Sequence, residues 1–212
     1  MKITNWEQMS VGAYSELLEV CKLPEPEDVE IGIIALLCGV DEEEILRLKI
    51  DEYQVLRRQA QFIASFPPIR ANCPKSVTLN GKKYTVTRDV RKMTAGAYID
   101  FQTFSKSELE KVIVELLSCF LIPEGKEYGE YDTAVVHDDI RDYLPVVVAY
   151  EMAAFFLSRL TDLTKATLFF SERTMKKLLR KEKDEKMKAK MKETLNQVRE
   201  IRSKISGVGL KA

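Results

Sequence analysis

Apolar residues recur at helical spacing through the first third of the chain. In SVGAYSELLEVC they fall on one face, and Ser10 is placed as an N-cap. DVEIGIIALLCGV is apolar nearly all round, which predicts a buried helix that ends at Gly39. DEEEILRL opens with a capping pattern, Asp41 followed by Glu44. With the helical stripe that follows, this pattern predicts a first helical unit over residues 1–66.

The helical pattern stops at a proline-rich segment, and the strongest strand signal of the chain comes next. FPPIRANCPK contains three prolines, which do not fit inside a helix. In VTLNGKKYTVT, two alternating β-prone runs flank Asn80-Gly81, a pair that accepts the positive φ angles of a tight hairpin turn. Residues 67–87 are therefore predicted to form a linker and a small β-hairpin.

Helical spacing resumes at Thr94 and predicts a second helical unit over residues 88–170. SKSELEKVIVELLSCFLI has Ser107 as its N-cap and an apolar face along its whole length. After the loop PEGKEYGEYD, a short helix is predicted near 133–142. Pro145 then fits the first turn of another helix, because a helix leaves its first N–H groups unbonded.

The end of the chain predicts a long, charged helix. Residues from Ser171 to about Ser206 are strong helix formers, and Gly207 and Gly209 end the pattern. We assign residues 171–212 to this basic C-terminal helix. The predicted fold class is mainly α: a duplicated helical unit, one small β-hairpin between the copies and a long charged C-terminal helix.

The duplication is suggested by two similar phrases, MSVGAY at 9–14 and MTAGAY at 93–98. Further matches follow in the same order, IIALLC with IVELLSC and RQAQFIAS with YEMAAFFLS. An offset of 84 residues is longer than a solenoid repeat of about 20–50 residues. The alternative is that a Ser or Thr followed by glycine and tyrosine simply starts a helix well. The pattern favours two divergent copies of one helical unit.

The apolar stripes also predict which side chains form the core. Large aliphatic and aromatic residues at helical spacing are the usual occupants of a protein interior. The predicted core residues are Tyr14, Leu17, Ile33, Leu36, Leu37, Phe62, Tyr98, Phe101, Leu116, Leu117, Phe155 and Phe156.

Charge is balanced over the chain but not along it. Lys+Arg and Asp+Glu count 33 each, with 45% apolar residues, which is typical of a globular protein. Residues 173–204 carry 13 basic and 5 acidic side chains, whereas residues 1–172 carry 19 basic and 28 acidic ones. The chain is therefore an acidic body with a basic C-terminal extension.

Cysteine usage and hydropathy predict a cytoplasmic protein that is not in a membrane. The four cysteines are widely spaced and form no CxxC pair, so we expect free thiols in a reducing compartment. MKITNWEQMS has no apolar region of a signal peptide. The longest apolar run, LPVVVAYEMAAFFLS, contains Glu151 and is shorter than the roughly 20 residues of a membrane-spanning helix.

The residue patterns do not predict an enzyme, a metal site or a cofactor. The one histidine, His137, lies beside Asp138 and Asp139 in VVHDDIRDY, but successive helical residues point in different directions. We expect a solvated helix start there rather than a metal site. The sequence contains neither the GxSxG motif of serine hydrolases nor the GxxxxGK[ST] motif of nucleotide-binding proteins.

The basic extension is the most distinctive candidate site. Its cations and a thin apolar stripe predict docking of a partner helix or of another copy of the chain. A solvated helix is the alternative, and nucleic acid is a third, which the acids among the bases and the lack of aromatic residues disfavour. The candidate partner-binding residues are Lys176, Lys177, Arg180, Lys181, Met187, Met191, Leu195 and Val198.

The segments LNGKKYTVTRDVRKMTAGAYIDFQTF and LLSCFLIPEGKEYGEYD carry a resemblance to a known type of protein. Over roughly residues 75–160 the chain resembles tail assembly chaperones of tailed bacteriophages that infect gut bacteria. The shared layout is a short hairpin, a helix start with Thr, Gly and Tyr, a compact helical unit and a charged extension. The duplication departs from this layout.

The resemblance implies a non-catalytic phage protein. Tail assembly chaperones act in the cytoplasm of the infected bacterium, where they coat the tape measure protein and recruit tail tube subunits. The departure leaves a virion structural protein, such as a connector or ring component, as the alternative function. A nucleic-acid-binding protein that uses the basic C-terminal helix is the third. Each of the first two acts through protein–protein contacts.

Overall fold

The computed structural model of the chain is mainly helical, with a small antiparallel sheet, as the sequence predicts. It describes residues 2–181 and 184–207. The chain divides after Phe156 into two compact units, which we call unit 1 (residues 1–156) and unit 2 (residues 157–212). None of the described helices combines the length and the apolar character needed to cross a membrane.

Unit 1 contains the shorter helices and the sheet. Most of its helices follow the predicted stripes, and 3₁₀ turns follow α4 and precede α5. The α-helices are α1 (Val11–Val20), α2 (Pro26–Cys38), α3 (Glu42–Leu46), α4 (Ile50–Ala60), α5 (Ala95–Phe104), α6 (Leu109–Ser118), α7 (Thr133–Tyr143) and the first part of α8 (Val146–Lys181); the 3₁₀ turns are Gln61–Ala64 and Val90–Lys92.

Capping chemistry explains where several helices start. The side chain of Ser10 accepts a hydrogen bond from the Ala13 amide at 3.2 Å, and Thr94 accepts one from the Ala97 amide at 3.3 Å. The two similar phrases therefore start α1 and α5 with the same cap. The predicted cap at Ser107 is wrong, because α6 starts later, after Glu108. Whether the two halves are copies of one unit stays a prediction.

The sheet contains the predicted hairpin and one strand that the sequence did not reveal. Strands β1 (Ser76–Leu79) and β2 (Lys82–Val86) pair antiparallel across a turn in which Asn80 and Gly81 have φ angles of 49° and 72°. Strand β3 (Leu121–Pro123) pairs with the other edge of β2, in the order β1-β2-β3. The predicted helix through LLSCFLI is therefore wrong at its end, because its last residues satisfy their backbone groups on β2.

The core of unit 1 has a helical part and a part beneath the sheet. Half of the predicted core residues are fully buried: Leu17, Leu37, Phe101, Leu116, Leu117 and Phe156. The other half are partly exposed: Tyr14, Ile33, Leu36, Phe62, Tyr98 and Phe155. Phe120, which the prediction omitted, lies between Phe101 and Phe156 and stacks on Phe156 with ring centroids 3.4 Å apart.

Backbone pairing joins the N-terminal helices to the α7–α8 junction. The Val11 amide donates to the Leu144 carbonyl at 3.1 Å, and the Val146 amide donates to the Met9 carbonyl at 2.8 Å. Gly12 follows directly and lies against α7, since a Cβ atom at this position would be 3.2 Å from the Arg141 carbonyl oxygen. Glycine thus permits the close approach of α1 and α7.

The described residues of unit 2 form the rest of α8 and α9 (Glu185–Gly207). The predicted single helix from Ser171 is wrong in two respects, since α8 already starts at Val146 and a new helix starts at Glu185. The second start has a local cause: the Asp184 carboxylate accepts the Lys186 amide at 2.8 Å, which is N-cap geometry. Gly209, one of the two predicted helix-ending glycines, lies outside the described residues.

Helix α9 runs back beside α8. The Arg199 guanidinium lies 3.3 Å from the carboxylate of Glu172, which is only 7% exposed. These residues are 27 positions apart in sequence, so the chain has reversed direction between them. We call the two helices of unit 2, residues 157–181 and 184–207, the basic hairpin.

Candidate protein-binding surfaces

The eight candidate partner-binding residues all lie on the basic hairpin, but they differ in exposure. Three of the cations are exposed, whereas the side chain of Lys181 lies outside the described part. On α9, Met187 is 50% exposed and Leu195 only 6%, with the other two in between. Lys176, Lys177, Arg180 and Lys181 are on α8, and Met187, Met191, Leu195 and Val198 are on α9.

The apolar stripe of α9 is covered in part by the chain itself. Leu195 is buried without any partner protein present. Arg199, one helical turn later, contacts Glu172 of α8, and Lys176 binds the same carboxylate at 2.7 Å. In this structure, Glu172 therefore joins the two helices, and Leu195 is already buried. Whether the eight residues bind a partner stays a prediction.

Another exposed stripe of the basic hairpin was missed by the sequence analysis. Phe170 is 70% exposed, although phenylalanine is usually buried. Arg173 and Lys177 are also exposed and follow at spacings of three and four residues, so the three side chains share one face of α8. We call Phe170, Arg173 and Lys177 the Phe170 stripe. The signal in the sequence was the pair FF placed just before the basic run.

The boundary between the units is also a boundary of charge. Unit 1 has 17 basic and 26 acidic residues, and unit 2 has 16 basic and 7 acidic ones. The net charges are therefore −9 and +9. Surfaces of opposite charge speed up encounter between proteins and favour particular partners.

Unit 1 carries an apolar groove between α2 and the end of α4, which we call the α2–α4 groove. Its volume is about 640 Å³. Aliphatic side chains of both helices form most of the wall, and Glu30 and Arg57 lie at its rim. The lining residues are Pro26, Val29, Glu30, Ile33, Ile34, Arg57, Ala60, Gln61, Ile63 and Ala64.

The rim of this groove is held by a polar contact between α2 and α4. The Arg57 guanidinium lies 2.9 Å from the Glu30 carboxylate, which also accepts a hydrogen bond from the Tyr53 hydroxyl. Burial and the neighbouring carboxylate raise the pKa of Tyr53 to about 12, so the hydroxyl keeps its proton and remains the donor. The contact joins α2 to α4 beside the groove.

Acidic residues surround the start of α2 beside the groove. The segment from Glu25 to Glu30 contains four carboxylates and no cation, and Glu25, Glu27 and Asp28 are exposed. Pro26, which lies among these residues, lines the groove. The groove thus combines an apolar wall with an acidic end, a combination that suits a partner with an apolar anchor followed by cations.

A second cavity lies on the other side of α2. It measures about 700 Å³ and is lined by carboxylates of α1 and α3, including Glu16, Asp41 and Glu44, together with Arg47. Its wall is less apolar than that of the α2–α4 groove. Arg47 is already paired with Glu43 at 2.9 Å.

A third cavity, of about 380 Å³, lies beside the start of α5 and contains Cys119. The Tyr128 hydroxyl at its edge donates to Asp100 at 2.8 Å. Burial raises the pKa of the Cys119 thiol to about 12. Because the thiolate is the nucleophilic form, this cysteine has the character of a core residue rather than of a reactive one.

The residues around His137 have separate partners. His137 lies 3.1 Å from the Ser118 hydroxyl, and Asp138 pairs with Arg141 at 2.7 Å. Asp139 is buried, so the expectation of a solvated acid is wrong at this position. Its carboxylate accepts hydrogen bonds from residues of the β-hairpin, because α7 places it against that hairpin. Within the described residues, no group of three or more His, Cys, Asp or Glu could hold a metal ion.

Comparison of the chain with protein-family models, with curated proteins and with solved structures finds no match. The surfaces described above are the structural features that bear on its function. Of these, the basic hairpin with its exposed aromatic ring and the α2–α4 groove combine the features that are typical of protein-binding sites.

Proposed function

We propose that the chain is a non-catalytic assembly protein that binds other proteins through its basic hairpin. The observation that carries this proposal is the Phe170 stripe, in which a phenylalanine with 70% exposure stands among exposed cations. Phenylalanine and arginine are among the residue types that are enriched at protein interfaces relative to the rest of the surface. The ring of Phe170 is apolar surface that a partner could bury.

The separation of charge supports the same function. Unit 2, with a net charge of +9, attracts acidic surfaces over distances up to roughly the Debye length, about 8 Å at physiological salt. Such attraction raises the rate of encounter, while the apolar contacts of Phe170 prolong the complex. These properties suit a protein that collects partners before an assembly forms.

The resemblance over residues 75–160 gives the proposal its specific form. On this proposal, the chain is a phage tail assembly chaperone in the cytoplasm of an infected bacterium, and its partners are the tape measure protein or tail tube subunits. The alternative is a structural component of the virion. Both use the basic hairpin for protein–protein contacts, and they differ in where the chain ends up.

The test is a tagged chain expressed during infection, purified separately from the cytoplasmic lysate and from finished particles. We expect recovery from the lysate together with tape measure or tube proteins. Recovery as a fixed-copy component of particles would instead establish the virion alternative. Recovery with nucleic acid that is lost at moderate salt would point to the third function.

A matched pair of variants ties this test to the hairpin. Phe170→Ser removes the exposed ring of the Phe170 stripe, whereas Ile99→Ser removes an exposed apolar side chain from α5 of unit 1. The proposal expects the first variant to lose the tail proteins and the second to retain them. If both variants recovered the tail proteins equally, Phe170 of the basic hairpin would not be part of the interaction.

A further inference from the structure

We infer that copies of this chain bind head to tail, with the Phe170 stripe of one copy seated in the α2–α4 groove of another. This inference deepens the proposed function, because it names a second copy as a partner of the same basic hairpin. It uses two surfaces that lie on different units and that differ in both shape and charge.

The shapes of the two surfaces are complementary. The stripe presents the exposed ring of Phe170, and the groove is a cleft of about 640 Å³ with aliphatic walls from Val29, Ile33 and Ile63. An aromatic anchor in an apolar cleft is the usual form of a hot spot at a protein interface. Helix-in-groove docking uses anchors on one helical face in this way.

The charges are complementary as well. The cations of the stripe, Arg173 and Lys177, lie one and two turns beyond the ring. The acidic start of α2, with Glu25, Glu27 and Asp28, lies at one end of the groove. The contact would also bring unit 2 of one copy, with a net charge of +9, against unit 1 of another, with a net charge of −9.

Different surfaces on the two partners make the contact heterologous, and a heterologous contact repeats. Each copy that docks its stripe leaves its own groove open for the next copy, so the contact generates a ring or an open helical row. A row of this kind presents the same surface again and again along its length. That geometry suits a protein that covers a long, extended partner.

The experiment is sedimentation velocity on the full chain from about 1 to about 100 µM, a range that covers weak dissociation constants. We expect the wild-type chain to sediment faster as its concentration rises. Raising the salt from about 50 to about 500 mM should reverse this increase, because charge attraction is screened. A chain that stays monomeric throughout at low salt would overturn the inference.

Two variants separate the two surfaces. Phe170→Ser removes the anchor and leaves the groove intact, whereas Ala64→Trp fills the groove from an exposed position and leaves the stripe intact. Each variant alone should show association weakened at least about tenfold, as is common for hot-spot residues. Mixed in equal amounts, they should form a 1:1 complex between the intact groove of one and the intact stripe of the other.

The mixture decides between head-to-tail binding and other contacts. If the two hairpins bound each other, Ala64→Trp would associate like the wild type and the mixture would gain nothing, which would overturn the inference. Ile99→Ser and Ala71→Trp are the controls: the first also replaces an exposed apolar side chain with serine, and the second adds a tryptophan at an exposed alanine that does not line the groove. Far-UV circular dichroism establishes that each variant is folded before it is scored.

The outcome is independent of the test of the proposed function. A chain that is monomeric yet captures tail proteins would overturn self-association and leave the proposed function standing. A chain that forms head-to-tail complexes but captures no tail protein would do the reverse. A negative result for self-association therefore says nothing about capture of tail proteins, and a negative result for capture says nothing about self-association.

Discussion

The buried hydroxyl of Tyr84, on β2, donates a hydrogen bond to Asp139, a carboxylate on α7 that is only 3% exposed. Lys82 and Asn80 donate to the same carboxylate at 2.8 and 3.1 Å. Burial of a carboxylate is unfavourable unless its oxygens are hydrogen-bonded, and all three of these donors come from the β-hairpin. Asp139 thus joins the hairpin to the helices of unit 1.

Removal of the Tyr84 hydroxyl should weaken this junction. Tyr84→Phe keeps the ring in the core but leaves a buried carboxylate with one donor fewer, so we expect the free energy of unfolding to fall by about 1–3 kcal/mol. Urea denaturation followed by circular dichroism measures the change. Tyr143→Phe, at an exposed position of α7, is the control and should change the value by less than about 0.5 kcal/mol. Equal effects of the two variants would contradict this reading.

The same carboxylate predicts a dependence on pH. Burial raises the pKa of Asp139, but the hydrogen bonds from Lys82, Tyr84 and Asn80 outweigh burial and hold it below its ordinary value of 3.8. The folded-state pKa is therefore lower than the unfolded-state pKa. The stabilisation is present above pH 3.8 and is lost as the pH falls through the lower folded-state value.

Urea denaturation at several pH values from about 6 to about 2 tests this dependence. Wild-type protein should lose more stability on acidification than Asp139→Asn, which has no carboxylate to protonate at this position. Asp51→Asn, at an exposed position of α4, should lose as much as the wild type. An Asp139→Asn curve parallel to the wild-type curve would show that this group does not carry the effect.

The two glycines of the similar phrases should respond differently to alanine. At Gly96 the nearest atom to an added Cβ is 3.9 Å away, so Gly96→Ala should stabilise the protein by about 0.5–1 kcal/mol through helix propensity. At Gly12 the added Cβ would lie 3.0 Å from Arg141 Cγ and 3.2 Å from its carbonyl oxygen. The free energy of unfolding of Gly12→Ala, measured by thermal unfolding, should therefore be at least about 1 kcal/mol lower than that of Gly96→Ala, as expected for overpacking.

The tyrosines of the same phrases should differ as well. Tyr14 makes edge contacts with the rings of Trp6, Phe66 and Tyr150, at centroid distances of 5.6–5.9 Å. Tyr98 accepts a hydrogen bond from Gln102 at the surface of α5. Tyr14→Ala should therefore lower the free energy of unfolding by at least about 1 kcal/mol more than Tyr98→Ala. Equal losses in urea denaturation would contradict the different packing of the two rings.

The cysteines should react with a thiol reagent at very different rates. Cys21 is exposed, whereas burial raises the pKa of Cys73 to about 11 and that of Cys119 to about 12. Because the thiolate is the reactive form, we expect Cys21 to account for the fast phase of labelling at pH 8. Cys21→Ser should remove that phase, and guanidinium should expose all four thiols. A fast phase that survives in Cys21→Ser would contradict this order.

Local chemistry made part of the fold readable from the sequence. The caps at Ser10 and Thr94, the left-handed end of α2 at Gly39 and the turn at Asn80-Gly81 each depend on a few adjacent residues. The periodic stripes predicted the helices because one face of each had to be buried. The charge boundary was visible in the same way, since it is a property of composition.

The sequence by itself thus determined the helical class, the hairpin and the separation of charge. Only the tertiary structure decided that LIP forms a strand on β2, that Asp139 is buried beneath the hairpin and that α9 turns back along α8. It also left Phe170 exposed while it covered Leu195. The physical reason is that these outcomes depend on contacts between residues far apart in the chain, where packing and backbone pairing override local preference.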